Sequence, residues 1–388
     1  MTRSVGKRME TRAPAAIVAA VAAVVVFAPG PAAADLQWSG LADFVVRNVS
    51  EEDATNANFR PSSNLDTFRT RLFLDAIVAD DVQFFTQLLV SGYADVFLYG
   101  AYLRLEDVAD APVSVHLGLI PPTVGTWAAR TYSDKNPLVG VPLVYNHHSS
   151  LEPRDSAQST VDDLLAQRGT RTTRGLPVLY DNCWNTGVEV YGEVGAFDWS
   201  VGLLNGSNTL PSRPQEDKLP QGTARLAWYR GPGLQVGVNG WAGPYLPEDA
   251  QVSWEPGKDR DDYLSGGFGY DLYASLRYLE LHSELYRAFW EHPELPTLKA
   301  LSGYLEAKYK VRPRWYAAAR FGFFEPDKVA DSSGTERHWD HPVHRVEYGV
   351  GFKHRPRLTT KAVVQHNRFD GAGSLDEDHF LLQVSAGF

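Results

Sequence analysis

Apolar and polar side chains alternate with period two along nearly the whole chain, in runs broken by turn residues, and this pattern constrains the fold more than any other feature. Successive side chains of a β-strand point to opposite faces, so each run reads as a strand with two faces of different character. Such runs fall near 36–48, 65–79, 82–91, 95–106, 113–120, 185–194, 197–205, 222–230, 234–243, 263–276, 278–290, 298–310, 314–325, 343–353, 358–368 and 379–388, sixteen in all. Each is close to the roughly 9–11 residues that a tilted strand needs to cross a bilayer.

The faces are sharply divided. Val346, Tyr348, Val350 and Phe352 share one side of their strand, and Arg345, Glu347, Gly349 and Gly351 the other. Trp315, Ala317, Ala319, Phe321 and Phe323 oppose Arg320; Leu279, Leu281 and Leu285 oppose Glu280, His282, Glu284 and Tyr286. An Arg or Lys facing hydrocarbon at mid-bilayer costs about 2–4 kcal/mol, so charged faces must look inward and apolar faces toward lipid. On the same parity, Phe97 and Tyr99 are expected on the lipid side with Leu103 and Leu105. A mean hydropathy of -0.28 is no objection, because alternation averages the two faces.

The connections sort by parity. Every second one is short: 79–81, 106–112, 195–196, 231–233, 277, 311–313 and 354–357. The alternate set runs long at 49–64, 121–184, 206–221, 244–262, 326–342 and 369–378, with 92–94 and 291–297 compact. Short turns on one rim, long loops on the other and an even strand count describe an outer-membrane barrel with both termini in the periplasm. An all-β barrel of about sixteen antiparallel strands is therefore expected, and barrels of that size leave an aqueous lumen rather than filling it with side chains.

The N-terminus fits export. Arg3, Lys7, Arg8 and Arg12 against Glu10 precede the apolar run 15–28 and the small residues Ala32-Ala33-Ala34, the order of a secretory signal with cleavage after Ala34. An anchor helix is the alternative, but about 14 apolar residues fall short of the roughly 20 that span a bilayer. Residues 35–388 then form the barrel. The net charge of -10, more negative once the basic leader is removed, argues against nucleic acid as a partner. One cysteine, Cys183, leaves no disulfide framework.

The last segment alternates strictly on one face, Phe380, Leu382, Val384, Ala386 and Phe388, with Gln383, Ser385 and Gly387 opposite. An alternating final strand ending in Phe resembles the assembly signal of bacterial outer-membrane β-barrel proteins. That resemblance implies insertion by a barrel-assembly machinery that reads Phe388, and residence in the outer-membrane lipid. The 121–184 connection follows the fifth strand, opens with Pro121-Pro122, and carries a helix start at Ser159-Thr160-Val161-Asp162-Asp163. In position it resembles the third loop of sixteen-stranded porins. The resemblance implies a loop folded into the lumen, passive diffusion of ions and small hydrophilic solutes, no cofactor, and a homotrimer. The short 92–94 connection departs from the family, whose second loop usually latches onto a neighbouring subunit.

On parity the lumen should carry Arg69, Arg71, Arg104, Arg225, Lys308, Arg320, Arg345 and Lys361, with Asp43, Asp75, Glu189, Glu193, Asp271, Glu280, Glu284, Glu306 and Glu347. Rings of fixed charge set ion preference in a pore, though solvated charge without a selective role is the plainer reading of any one of them. If the long loop enters, Asp134, Asp162, Asp163 and Asp181 are expected opposite Arg69, Arg71, Arg104 and Arg225. Tyr102, Tyr191, Tyr229 and Tyr304 are the only hint of a sugar-selective wall, and a phosphate or organic-acid channel is the other selective reading. His147-His148 lacks spaced partner ligands for a metal. No GxSxG, Walker A or HExxH motif occurs, and His282 with Ser283 or Ser302 is a bare juxtaposition. An outer-membrane enzyme or adhesin on a barrel scaffold, and a soluble β-sandwich, are the competing readings.

Overall fold

The computed structural model describes residues 35–48, 67–91, 95–154, 158–169, 175–181, 184–210 and 219–388. The expected signal segment, Cys183 and the 92–94 connection lie outside them.

The strands are β1 (Asp35–Arg47), β2 (Thr67–Ala79), β3 (Val82–Ser91), β4 (Asp95–Leu105), β5 (Val113–Ile120), β6 (Asn185–Val194), β7 (Phe197–Asn205), β8 (Gln221–Tyr229) and β9 (Leu234–Pro244). They continue as β10 (Leu264–Leu276), β11 (Leu279–Trp290), β12 (Leu298–Arg312), β13 (Trp315–Pro326), β14 (Lys328–Ala330), β15 (Glu336–His338), β16 (Val343–Arg355), β17 (Leu358–Phe369) and β18 (Glu377–Gly387). The short β14 and β15 pair only with each other; the other sixteen form one closed antiparallel barrel.

Closure is made by the first and last strands. β1 pairs with β18 from Leu41 opposite Gly387 to Arg47 opposite Leu381. The Gly40 N–H donates to the Phe388 carbonyl at 2.9 Å, and the Phe388 N–H returns a bond to the Gly40 carbonyl at 3.0 Å. Gly40 is required by a close approach: any Cβ there would run into the Phe388 ring. The C-terminal Phe thus locks the seam by backbone bonds and by its ring lying over a bare α-carbon.

Outward side chains form the lipid-facing belt, with Phe44, Leu203, Val238, Phe268, Phe321, Val346 and Phe380 all exposed. An apolar surface of this extent on a closed barrel is a hydrocarbon-facing surface. Inward positions alternate with it; Tyr316, Ala318, Arg320, Gly322 and Phe324 of β13 are all buried.

One expectation from parity is overturned. The register between β3 and β4 shifts at Gln87/Leu88, a bulge that inserts one residue in β4. The slip turns Tyr99 inward, where it is 9% exposed, lies 5.7 Å from the Trp184 ring and sits beneath Arg71 at 5.7 Å. Simple alternation from Leu103 and Leu105 puts it on the wrong face because a bulge resets the period.

Deleting Phe388 removes both seam bonds, and Gly40→Leu removes the space its ring occupies. Each change is expected to lower the folded, heat-modifiable fraction in the membrane several-fold on semi-native gels. An unchanged fraction for both would contradict this account of closure.

Candidate pore and its infolded segment

Most of the segment joining β5 to β6 lies against the inner wall of the barrel. Thr123 comes first, its Oγ1 donating to Thr223 Oγ1 of β8 at 2.8 Å, and then Thr126, whose N–H and Oγ1 donate to Glu284 of β11 at 2.9 and 2.7 Å. Three phenols complete that carboxylate. Tyr304 donates to the same oxygen at 3.1 Å, Tyr286 donates to the other at 2.9 Å, and Tyr145 makes a short bond to it. Five donors around one carboxylate that is 1% exposed make Glu284 a structural anchor rather than a free pore charge.

The segment then crosses β12, β13, β16 and β17. Arg130 pairs with Glu306, and Tyr316 donates to the Pro137 carbonyl at 3.1 Å. Arg320 donates to both oxygens of Glu347 at 2.6 and 3.0 Å and to Glu306 at 3.1 Å, and its Nη2 also donates to the Gly140 carbonyl at 3.3 Å. Arg345 holds Asn367 at 2.8 Å and the Val141 carbonyl at 3.1 Å. Lys361 spends its ammonium on the carbonyls of Ser133, Asn136 and Leu138 at 2.6, 2.7 and 3.2 Å, and on Gln383 at 2.9 Å. Irregular backbone inside a barrel leaves carbonyls without ladder partners, and wall cations satisfy them here.

Above this crossing the segment joins the long-loop rim in one apolar cluster. Val141, Leu143, Leu151 and Leu176 pack with Tyr245, Leu246, Trp290, Trp339 and Phe369. The small helix Val161–Ala166 belongs to this cap, with Leu164 buried in it and Thr160 as its N-cap, accepting from the Asp163 N–H.

The wall residues expected from parity therefore take different roles. Arg69 and Arg71 of β2, with Asp43 of β1, face Thr131, Ser133, Asn136, Gly140 and Asp181 across a void of about 30 Å³. That is room for one or two waters. Arg71 also stacks over Tyr132 at 4.8 Å. Burial pushes the Asp181 carboxyl above its ordinary value, opposed by Arg71 and by bonds from Trp127 at 2.7 Å and Thr131 at 3.0 Å. Arg225 is bidentate to Asp271 at 3.0 and 2.6 Å, in space left by the bare α-carbon of Gly237. Arg104 pairs with Glu106 at 2.6 Å, Glu189 with His116 at 3.1 Å, and Glu280 with Lys308 at 2.9 Å.

Asp162 and Asp163 are not at that gap. They occupy the first turn of the cap helix, where the helix dipole favours acids. Asp162 accepts from the Ser332 N–H at 3.1 Å, and Asp163 from Thr160 Oγ1 at 2.6 Å. Asp134 also lies away from the gap, in a separate cavity with Asp75 and Lys135. Of the four acids expected opposite the arginines, Asp181 is the one the chain brings to Arg69 and Arg71.

No family model and no curated protein sequence matches the chain. Solved structures do. An anion-selective porin from Comamonas acidovorans superposes with TM-score 0.57 at 11% identity, over 92% of this chain and 100% of that one. The outer membrane channel DcaP of Acinetobacter baumannii gives 0.55 at 12%, over 92% and 99%. The trimer form of OmpT, an outer membrane protein of Vibrio cholerae, gives 0.53 at 11%, over 92% and 100%. The fold is that of the sixteen-stranded outer-membrane porins.

Two outcomes follow from the anchors. Glu284→Ala leaves five donors without their acceptor and should destabilise the barrel by about 3–5 kcal/mol, read as a lowered thermal unfolding midpoint in detergent. Glu284→Gln, which keeps an acceptor, should cost less; equal midpoints for all three proteins would remove Glu284 as the anchor.

The second concerns His147, buried beside Phe324 with neither ring nitrogen bonded among the described residues. Its Nε2 is 3.9 Å from Asp340, but that carboxylate already accepts from the N–H and Oγ of Ser150, each at 2.7 Å, and from the His341 N–H at 2.8 Å. Burial first, then the charges of His148 and Arg345, push the imidazole down to about 3. A depressed basic group takes up its proton more readily when released, so the docked segment loses stability as pH falls from about 6.5 toward 3. Protease cleavage within 121–181 should rise several-fold on acidification through that range, and His147→Phe should flatten the rise. The same rise in the variant would overturn the assignment.

Proposed function

We propose that the chain is an outer-membrane channel for passive diffusion of ions and small hydrophilic solutes, in which residues 121–181 form the restriction. The carrying observation is the narrow polar gap between Asp43, Arg69 and Arg71 on the wall and Asp181 with the 131–141 backbone on the infolded segment. Opposed fixed charges around a water-sized gap favour ions and small polar molecules that exchange their water for the wall groups, and penalise apolar ones, which lack compensation for displaced water. Arg104, Arg225 and Glu280 line the wider wall as neutralised pairs, Glu189 is hydrogen-bonded to His116, and all four contribute polarity more than selectivity. Arg320, Arg345 and Glu284 bond the segment, and Glu347 positions Arg320.

The reading is a channel rather than an enzyme, acting without a cofactor, exported by its leader and inserted through the strand ending in Phe388. The trimer form of OmpT supports assembly into three barrels.

Replacing residues 126–141 with a short Gly-Ser linker should raise single-channel conductance in planar bilayers by about threefold or more, because a sixteen-stranded lumen without its segment is a wide aqueous channel. The intact protein should show small steps. Equal conductance would place the restriction elsewhere.

A further inference from the structure

At the short-turn rim, the ends of β12, β13 and β16 surround a cavity of about 630 Å³. Six cations line it: Lys308, Lys310, Arg312, Arg314, Lys353 and Arg355. Its one acid, Glu280, is bonded to Lys308. Among the described residues, the other five have no acid within ion-pair distance, and all five are exposed. The register makes this cavity part of the inner surface. Lys308 and Lys310 share the face of Glu306, and Lys353 shares that of Glu347, both of which meet Arg320 in the lumen.

This is unusual for the chain that carries it. The whole sequence is net -10, and higher in the barrel Arg225 and Arg320 each meet carboxylate partners. Here five unmatched cations converge on a concave site with low-dielectric walls. Such clefts focus the field and raise the local concentration of counter-ions. Guanidinium groups add fork geometry that matches carboxylate and phosphate oxygens. The cavity adjoins a second one of about 530 Å³ through Lys353, and that one reaches Tyr132 and Asp134 of the infolded segment.

We propose that this cavity is a binding site for small multivalent anions, phosphate or oligocarboxylate in chemistry, at the short-turn mouth of the barrel. The inference deepens the channel reading and rests on it for the claim that bound anions are in transit. The site recruits anions at that mouth and holds them beside the approach to the gap. Monovalent anions engage too few of the cations to be retained.

Calorimetric titration of the intact barrel in neutral detergent tests the site without requiring conduction, with pyrophosphate and citrate as probes and acetate as control. Saturable binding of both probes is expected, with acetate below detection. The double variant Lys310→Glu, Lys353→Glu should weaken affinity roughly tenfold or more, as expected when a focusing field is reversed. The neutral double variant Lys310→Gln, Lys353→Gln, which imposes no repulsion on folding, should show a smaller loss in the same direction. No binding by wild type, unchanged affinity in the neutral variant, or binding of a short-chain anionic phospholipid but neither probe would overturn the proposal. In planar bilayers, pyrophosphate added at the short-turn side should interrupt current more often than from the other side, and equal interruption overturns the claim of transit. A barrel that binds the probes but passes no current leaves the site standing and removes the channel reading.

Discussion

A strand ladder in hydrocarbon has to close on itself. Backbone N–H and C=O groups have no water to turn to there, and each unsatisfied group costs several kcal/mol. Sixteen strands meet that requirement because β1 pairs with β18 in register, with Phe388 bonded to Gly40 in both directions. Once the ladder is closed, side-chain direction is no longer free. Every strand sends alternate residues to lipid and to lumen, so a charge on one strand must meet its partner across the ladder or inside the barrel.

The lumen obeys that rule. Arg320 is held between Glu306 and Glu347, which stand opposite it on the two neighbouring strands. Its remaining hydrogen-bonding capacity, with that of Arg345, Lys361 and Glu284, goes to the segment that follows β5. Wall and segment each supply what the other lacks: cations for orphan carbonyls, and one phenol, one hydroxyl and one backbone N–H for a buried carboxylate. The apolar cap at the long-loop rim, with Trp290 and Trp339 in its centre, buries the rest of that segment. What stays open is a water-sized gap at Arg69 and Arg71 and a wider, charged mouth at the short-turn rim.

The barrel was legible in the sequence because alternation is local and repeated and the connections sort by length. Arg320, Arg345 and Glu347 fell on the inner face from period alone, and the start of the helix at 161–166 could be read from its cap. Tyr99 could not, because a bulge shifts the phase of a strand without a sequence mark of its own at this site. The positions of Asp162 and Asp163 were equally hidden. Their acidity is explained by the helix they cap, and where that helix sits depends on packing among loops far apart in sequence. Lys361 and Glu284 read as generic lumen charges; that they hold the infolded segment follows from its irregular path. The basic cavity escaped for a related reason: Lys308 could be read as a lumen charge, but Arg312, Arg314 and Arg355 come from strand ends and turns where parity lapses.

The central claim is that a closed barrel with its segment docked still passes small polar solutes. Swelling of liposomes carrying the purified protein, in a graded series of uncharged sugars, addresses it directly. Rates above those of empty liposomes for the smallest solutes, falling steeply with solute size, are the predicted result. Swelling no faster than in empty liposomes for every member of the series would contradict it.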